Sequence, residues 1–399
     1  MTAAAAPIRD RVDACPGALQ THPAADGGLA RCRVPGGALR ADQLGTLAAA
    51  ARELGNGSLE LTSRGNVQLR GLPAGAEVEL GRRLAAAGLL PSATHERVRN
   101  VLASGLSGRT AGGHLDVRPW LTALDAGLCA DPALAGLPGR YLAVLDDGRG
   151  DVADLGADVG LLALSSTSVA LLLGGTDSGL RSVPGDAVPL ALAATRAFLA
   201  ERDAQATGAW RLAELTNGPA RVAARLRIAF RHSGHYGESG RVEVPAAPVN
   251  GPVGALRQLD GGTALAALVP LGMLNAAQAD LLAGLAPEVE LTPWRTVVVP
   301  DLPDATAAAA LTDAGLVLDP AGPWRQVTTC AGRPGCAKSL ADVRADASAA
   351  VVGGTLPADG ARQHWAGCER RCGRPRGDIV DVVATVTGYD LRTSRVEKD

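Results

Sequence analysis

The stretch DGGLARCRVPGGALRADQLGTLAAAARELGNGSLELTSRGN, Asp26–Asn66, decides the fold, because it occurs twice in altered form. Its echo is DGGTALAALVPLGMLNAAQADLLAGLAPEVELTPWRT, Asp260–Thr296. Each copy opens on a DGG turn, runs through an apolar strand ending in Val-Pro, and turns through glycine into an Ala/Leu-rich helix. Each then returns as a strand ending in Leu-Thr and continues into a second helix closed by glycine. Those helices are EVELGRRLAAAG, up to Gly88, and DATAAAALTDAG, up to Gly315. Asn275 and Asp304 stand at N-cap positions, where a short side-chain acceptor meets a free backbone N–H. The glycines fit the left-handed residue that follows a helix.

The echo continues. ERVRNVLASGLSGRTAG from Glu96 resembles PWRQVTTCAGRPGCAKS from Pro323, with Ser104 opposite Cys330. The chain therefore reads as two copies of a strand–helix–strand unit, each followed by a mixed α/β segment. ATGAWRLAELTNGPARVAARLRIAF, Ala206–Phe230, is expected to bridge the halves as helix. The expected fold is α+β with pseudo-two-fold symmetry, divided at residues 1–92, 93–205, 206–319 and 320–399. Duplicated halves pack about such an axis, and ligands favour the interface between them.

With 399 residues, 47% hydrophobic and 20% charged, the chain has the makings of two or three compact domains. MTAAAAPIRDRVDACPG, at the start, has no apolar signal region, and the apolar run VGLLALSSTSVALLLGG is broken by Ser and Thr and too short for a bilayer. The expectation is a cytoplasmic protein with no membrane contact. Its odd count of seven cysteines in a reducing compartment argues against a disulfide framework. A net charge of −2 and no Lys/Arg-rich run exclude an electrostatic nucleic-acid binder. The basic residues are almost all arginine, Lys338 and Lys398 being the lysines. Codon bias explains that, yet arginine also grips carboxylates bidentately wherever it faces a pocket.

LELTSRGNVQLRGL, Leu59–Leu72, alternates and predicts one strand with Thr62, Arg64, Asn66, Gln68 and Arg70 on a single face. That face is either solvated or a grip for a multiply carboxylated ligand. Arg97, Arg99, Arg109 and Arg118 follow closely enough to join the same site.

Cys330, Cys336, Cys368 and Cys372 form C-x5-C…C-x3-C. Thiolate zinc sites mostly use shorter knuckles, so the five-residue gap counts against zinc. Four thiolates also hold iron–sulfur clusters, whose larger body tolerates wide spacing. Gly332, Gly335, Gly367 and Gly373 would let the backbone approach inorganic sulfide. Packed free thiols are the remaining reading, and the one adopted for the scattered Cys15, Cys32 and Cys129.

LTSRGNVQLRGL, RNVLASGLSG, CAGRPGC and GCERRC, in this order over nearly the whole chain, resemble the nitrite/sulfite reductase superfamily. The resemblance implies two ferredoxin-like half-domains and two α/β segments around a central site. It also implies a [4Fe–4S] cluster on Cys330, Cys336, Cys368 and Cys372. Arg64 and Arg99 match the family's active-site arginines. The opening ACPGALQTHPAADGGLARCRVPGG, Ala14–Gly37, is similar to the branch that serves aerobic cobalamin biosynthesis. That likeness implies precorrin-3A, a tetrapyrrole, as substrate, with dioxygen, a non-heme iron, and NADH as ultimate reductant through an electron donor. LPGRYLAV, Leu137–Val144, departs from the LP-R-K-F-K of sulfite reductases, with Arg140 for the first lysine and Leu142 for the second. Leucine neither donates protons nor binds an oxyanion. The resulting site expectation is Arg64, Arg99 and Arg140 for catalysis and Arg64, Asn66, Gln68, Arg70 and Arg99 for substrate carboxylates. A siroheme would be bound only if the chain were a nitrite or sulfite reductase.

Overall fold

The computed structural model describes residues 13–231, 236–358 and 360–394. The first half-domain runs β1 (His22–Ala24), β2 (Gly27–Cys32), β3 (Ala38–Arg40), α1 (Ala41–Leu54), β4 (Ser58–Leu61), β5 (Val67–Leu72) and α2 (Ala76–Ala86). An α/β segment follows: β6 (Val101–Ala103), α3 (Arg118–Ala130), β7 (Ala143–Asp146), β8 (Val159–Ala163), β9 (Val169–Leu173), β10 (Thr176–Ser182), α4 (Ala187–Ala204), α5 (Gly218–Ala229) and β11 (Tyr236–Glu238). The second half-domain repeats the first as β12 (Gly254–Arg257), β13 (Thr263–Leu268), β14 (Met273–Asn275), α6 (Ala276–Leu285), β15 (Glu288–Leu291), β16 (Thr296–Leu302) and α7 (Ala308–Asp313). The chain closes with β17 (Val327–Thr329), α8 (Val343–Val352), β18 (Gln363–Ala366), β19 (Ile379–Ala384) and β20 (Tyr389–Ser394).

The duplication is physical. The first half-domain's sheet is ordered β1-β2-β5-β4-β14 and the second's β12-β13-β16-β15-β3, so each half lends its shortest strand to the other. Leu39 on β3 and Leu274 on β14 are both fully buried, and α1 packs on α6 over one shared core. Neither half can close that core alone. The lending turn needs glycine: Gly37 has φ of +72°, and a Cβ there would strike the Leu291 carbonyl. The α/β segments repeat too. β6, β7 and β8 run parallel with β9 antiparallel, as β17, β18 and β19 run parallel with β20 antiparallel.

Three expectations are corrected. Leu59–Leu72 is not one strand but the hairpin β4–β5. Thr62 N–H donates to Asn66 O at 2.9 Å, Gly65 N–H to Thr62 O at 3.2 Å, and Gly65 takes φ of +64°. The alternation concealed a turn, so Thr62, Arg64 and Asn66 share no strand face with Gln68 and Arg70. Secondly, α5 does not bridge the halves. Val222, Ala223 and Leu226 pack in the core that holds Phe198 of α4, and β11 pairs with β10, so both belong to the first α/β segment. Thirdly, Asp304 caps a turn through Thr306 N–H (2.8 Å) ahead of α7, whereas Asn275 caps α6 through Gln278 N–H (2.8 Å) as expected. No helix among the described residues is long and apolar enough to cross a membrane.

Asp146, at the end of β7, is fully buried and accepts from the N–H groups of Gly148, Gly150, Val152 and Ala153 at 2.9–3.0 Å. Asp146→Ala strands four donors, and hydrogen bonds to a charged group contribute about 1.5–3 kcal/mol each before relaxation. The variant should lose about 3 kcal/mol or more of unfolding free energy in a urea titration. An unchanged midpoint would show that this loop closes without its carboxylate.

Candidate functional site

A cavity of about 530 Å³ lies where the four units meet, within the range for small-molecule sites. Two symmetry-related turns face it. In the first half-domain the β4–β5 turn contributes Ser63 and Arg64. In the second, the β15–β16 turn contributes Pro293 to Thr296. The second turn repeats the bonds of the first: Thr292 N–H to Thr296 O at 2.9 Å, and Arg295 N–H to Thr292 O at 3.1 Å, with Arg295 at φ of +61°. Trp294 thus stands where the first copy has Arg64. Leu142, Trp324, Thr328, the strap 247–251 and the loop Gly373 to Gly377 complete the walls.

The walls are cationic. Arg64, Arg211, Arg295, Arg325, Arg362, Arg374 and Arg376 line the cavity, against the single carboxylate of Asp154 among the described residues. Some of these guanidinium groups are already engaged. Arg211 pairs with Asp158 (2.8 Å), Arg374 with Asp381 (2.8 Å), and Arg376 donates to the Asp154 carbonyl (3.0 Å). The guanidinium groups of Arg64 and Arg295 have no hydrogen-bond or ion-pair partner among the described residues. Burial pulls the Arg64 pKa down to about 10, with Arg211 adding repulsion, and burial followed by Arg344 lowers that of Arg295. Arginine keeps its charge in proteins, so both are cations. Asp158 and Glu60 offset these cations only at longer range, so an anionic group entering the cavity would find two guanidinium forks without a direct partner among the described residues.

The four C-terminal cysteines gather beside this cavity. β17 and β18 are parallel neighbours, so the loops leaving their C-terminal ends meet. Cys330 follows β17 and Cys336 closes the next turn, its N–H donating to Gly332 O at 2.8 Å. Cys368 and Cys372 sit in the loop after β18. Gly367 N–H points at Cys330 Sγ at 3.2 Å, and a Cβ on Gly367 would collide with Ser339. Burial pushes the Cys372 thiol up, and then its neighbours Cys330, Cys368 and Cys336 do so further. Cys372 in electrostatic contact with the other three thiols, and an N–H already aimed at the Cys330 sulfur, fit an iron–sulfur cluster. No three His, Cys, Asp or Glu side chains among the described residues converge closely enough for a single metal ion. His364 is fully buried, its pKa lowered to about 4 by burial and Arg295, with Nδ1 on Thr328 Oγ1 (3.0 Å). His95 bonds the Asp131 carbonyl (3.0 Å), and His232 and His235 lie outside the described residues. The second cysteine loop is tied down by Arg371 and Arg374, which pair with the fully buried Asp381 at 3.1 and 2.8 Å. Gly373, next to Cys372, lines the cavity, so cluster loop and cavity share a wall.

Of the expected substrate and catalytic residues, only Arg64 lines the cavity. Asn66 is buried, accepting from Val34 N–H (2.9 Å) and donating to Asn100 Oδ1 (3.0 Å). Gln68 accepts from Arg31 (3.0 Å) and donates to Glu60 (3.1 Å). Arg70 is bidentate on Asp26 at 3.0 Å, and Arg99 is bidentate on Asp125 at 2.6–2.7 Å while donating to Leu89 O. Arg140 is exposed, 5.0 Å over the Trp210 ring. Protein partners already engage the polar ends of Asn66, Gln68, Arg70 and Arg99, and none of these four nor Arg140 lines the cavity. Arg97, Arg109 and Arg118 likewise meet Asp13 O, Asp301 with Glu290, and Asp116. Arg295 was missed, because aligning the two LT turns sets Trp294 opposite Arg64 and Arg295 opposite Gly65. Arg211, Arg362 and Arg376 come from loops with no sequence signal.

Ser104 ends β6 as Cys330 ends β17: each donates its backbone N–H across the sheet, to Leu145 O and Trp365 O, at 3.0 Å. Ser104 Oγ meets Asp151 at 2.6 Å. Burial raises the Asp151 pKa to about 7, with Asp146 and Asp147 adding to it against Ser104 and Arg149. The folded pKa lies above the unfolded value of about 3.9, so the fold favours the protonated form. The resulting stability is complete below about pH 4 and lost as pH rises through about 7. Asp151→Asn should therefore flatten the fall in unfolding free energy across that window. Identical slopes for the variant and the parent would contradict this assignment.

Comparison with known proteins agrees with this architecture. Residues 22–87, β1 through α2, match the nitrite/sulfite reductase ferredoxin-like half domain. The chain is 29% identical to a precorrin-3B synthase from Sinorhizobium sp, over 96% of this chain and 82% of that protein. It is 26% identical to the ferredoxin–nitrite reductase of Synechococcus elongatus, over 93% of this chain and 77% of that one. A sulfite reductase [ferredoxin] of Mycobacterium tuberculosis is 27% identical over 79% of this chain, which spans 61% of its length. The solved NirA protein of Mycobacterium tuberculosis superposes with a TM-score of 0.72 at 22% identity, covering 93% of this chain and 77% of that one. That likeness shows the fold: α+β, with duplicated ferredoxin-like halves and two α/β segments around a central site.

Proposed function

We propose that this chain, built on a nitrite/sulfite reductase ferredoxin-like half domain, acts on a tetrapyrrole and not on a small anion. The reading is precorrin-3B synthase: one oxygen atom of dioxygen enters precorrin-3A as a hydroxyl, and a ring acetate closes a γ-lactone. The second oxygen atom leaves as water, taking two electrons that NADH would supply through an electron donor and two protons from solvent, one of which the oxidation of NADH replaces. The observation that carries this is the pair of unpartnered cations, Arg64 and Arg295, facing a cavity whose inner wall is Leu142 and not a lysine. The similarity to a precorrin-3B synthase over nearly the whole chain supports it.

In this reading Arg64 and Arg295 bind peripheral carboxylates by charge-assisted hydrogen bonds and fix the macrocycle's orientation. Trp294 and Trp324 offer apolar faces to the ring. Leu142 keeps one wall dry. Cys330, Cys336, Cys368 and Cys372 would hold the [4Fe–4S] cluster, which supplies electrons one at a time when bound. No nucleic acid or membrane has a role, and a cytoplasmic setting suits the free thiols.

The rival is a siroheme-dependent nitrite or sulfite reductase, favoured by the similarity to the Synechococcus elongatus enzyme. A porphyrin bearing free acetate and propionate groups, offered beside its methyl ester, tests the carboxylate grip, and assays of nitrite and sulfite reduction separate the two readings. The acid should bind at least tenfold tighter, the equivalent of about 1.4 kcal/mol. Equal binding of acid and ester, with tightly held siroheme and multiple-turnover reduction of nitrite or sulfite, would overturn the proposal.

A further inference from the structure

Arg70 was expected to meet substrate, and the structure gives it another task. Its guanidinium is nearly buried and donates to the carbonyl of Gly335, one residue before Cys336. Gly335 packs so closely on Arg70 that a Cβ would collide with its Nη2. The Cys336 sulfur lies near enough for its charge to stabilise the guanidinium. Asp26 holds Arg70 bidentately at 3.0 Å, and Glu60 approaches at 3.6 Å while also pairing with Arg344 of α8 at 2.8 Å. This ion-pair network joins the first half-domain to the first cysteine loop, whereas Arg371, Arg374 and Asp381 tie the second loop within its own segment.

We infer that Arg70 is a positioning residue for the four-cysteine site, holding the Cys336 loop through Gly335 and setting the electron affinity of the cluster that the loop would carry. The inference rests on reading those cysteines as cluster ligands, and not on which substrate is turned over. The physical argument is charge. Reduction adds an electron to the cluster, and a cation within a few ångströms in a desolvated setting stabilises the reduced form. Arg70 is the member of the network that touches the loop backbone, and Asp26 is the anion that partly neutralises it. Removing the cation and removing its counter-anion must therefore move the midpoint potential in opposite directions.

The test is a redox titration of the anaerobically purified full chain, followed by visible absorption and electron paramagnetic resonance, with iron and sulfide content measured on each sample. Arg70→Gln should shift the midpoint to more negative potential, and Arg70→Lys should recover most of that shift while altering the resonance line shape. A lysine keeps the charge but cannot reach Asp26 and Gly335 with a fork. Asp26→Asn should shift the midpoint to more positive potential. A purely structural role would lower cluster content in both variants without a shift of opposite sign. Shifts of the same sign, or parental potentials in both Arg70→Gln and Asp26→Asn, would overturn the inference alone. Parent protein devoid of iron and sulfide would overturn the cluster reading and this inference with it.

Discussion

Serine in place of any one of Cys330, Cys336, Cys368 or Cys372 should abolish or sharply lower the broad visible absorption of the anaerobically purified protein, together with its iron and sulfide. Cys129→Ser should leave all three unchanged. Topology and chemistry support the expected effect. The parallel pair β17–β18 brings both loops to one end of the sheet, and Cys372 is in electrostatic contact with the other three thiols. The loops have little freedom to recruit a substitute. Gly367 donates to Cys330 Sγ while Arg371 and Arg374 clamp the second loop on Asp381. An alkoxide is a much weaker ligand than a thiolate for iron. Cys129, on α3, lies in another unit, with Asp125 and Arg99 as neighbours. Full iron and sulfide in all four variants would remove the assignment.

The second large effect concerns the two unpartnered cations. Arg64→Ala and Arg295→Ala should each weaken binding of a carboxylated tetrapyrrole by about 1.5–3 kcal/mol, the range for hydrogen bonds to charged groups. That corresponds to about tenfold to 150-fold in Kd, read by fluorescence titration. Stability should change little, because each guanidinium is desolvated and has no direct hydrogen bond or ion pair among the described residues, only the longer-range charge of Asp158 for Arg64 and of Glu60 for Arg295. This sets them apart from Arg99. Its removal would strand Asp125 and the Leu89 carbonyl and should destabilise the fold. Unaltered Kd values for both variants would mean that the carboxylates bind elsewhere in the cavity.

The duplication was legible because both copies keep the Val-Pro turn, the helix and the Leu-Thr ending, features fixed by backbone geometry. The exchange of β3 and β14 was not, since three-residue strands carry no periodicity and their partners lie in the other half. That the four cysteines fall in two glycine-flanked loops was legible from spacing alone, and what they hold is our proposal. Arginine roles were not, because a guanidinium's task depends on which carboxylate the fold delivers to it. Asp125 reaches Arg99 from α3, and Asp26 reaches Arg70 from the loop between β1 and β2. Arg64 and Arg295 have no direct partner among the described residues because neither turn carries an acid.

The central claim is that a tetrapyrrole, and not a small oxyanion, is oxidised or reduced in this cavity. Its most direct test supplies the reconstituted protein with precorrin-3A, a reductant and isotope-labelled dioxygen, and weighs the product by mass spectrometry. The account predicts a product heavier by one labelled oxygen atom and carrying a γ-lactone, formed over many turnovers, with no catalytic loss of sulfite or nitrite in a parallel anaerobic assay. Unchanged precorrin-3A beside sustained reduction of either anion would contradict it.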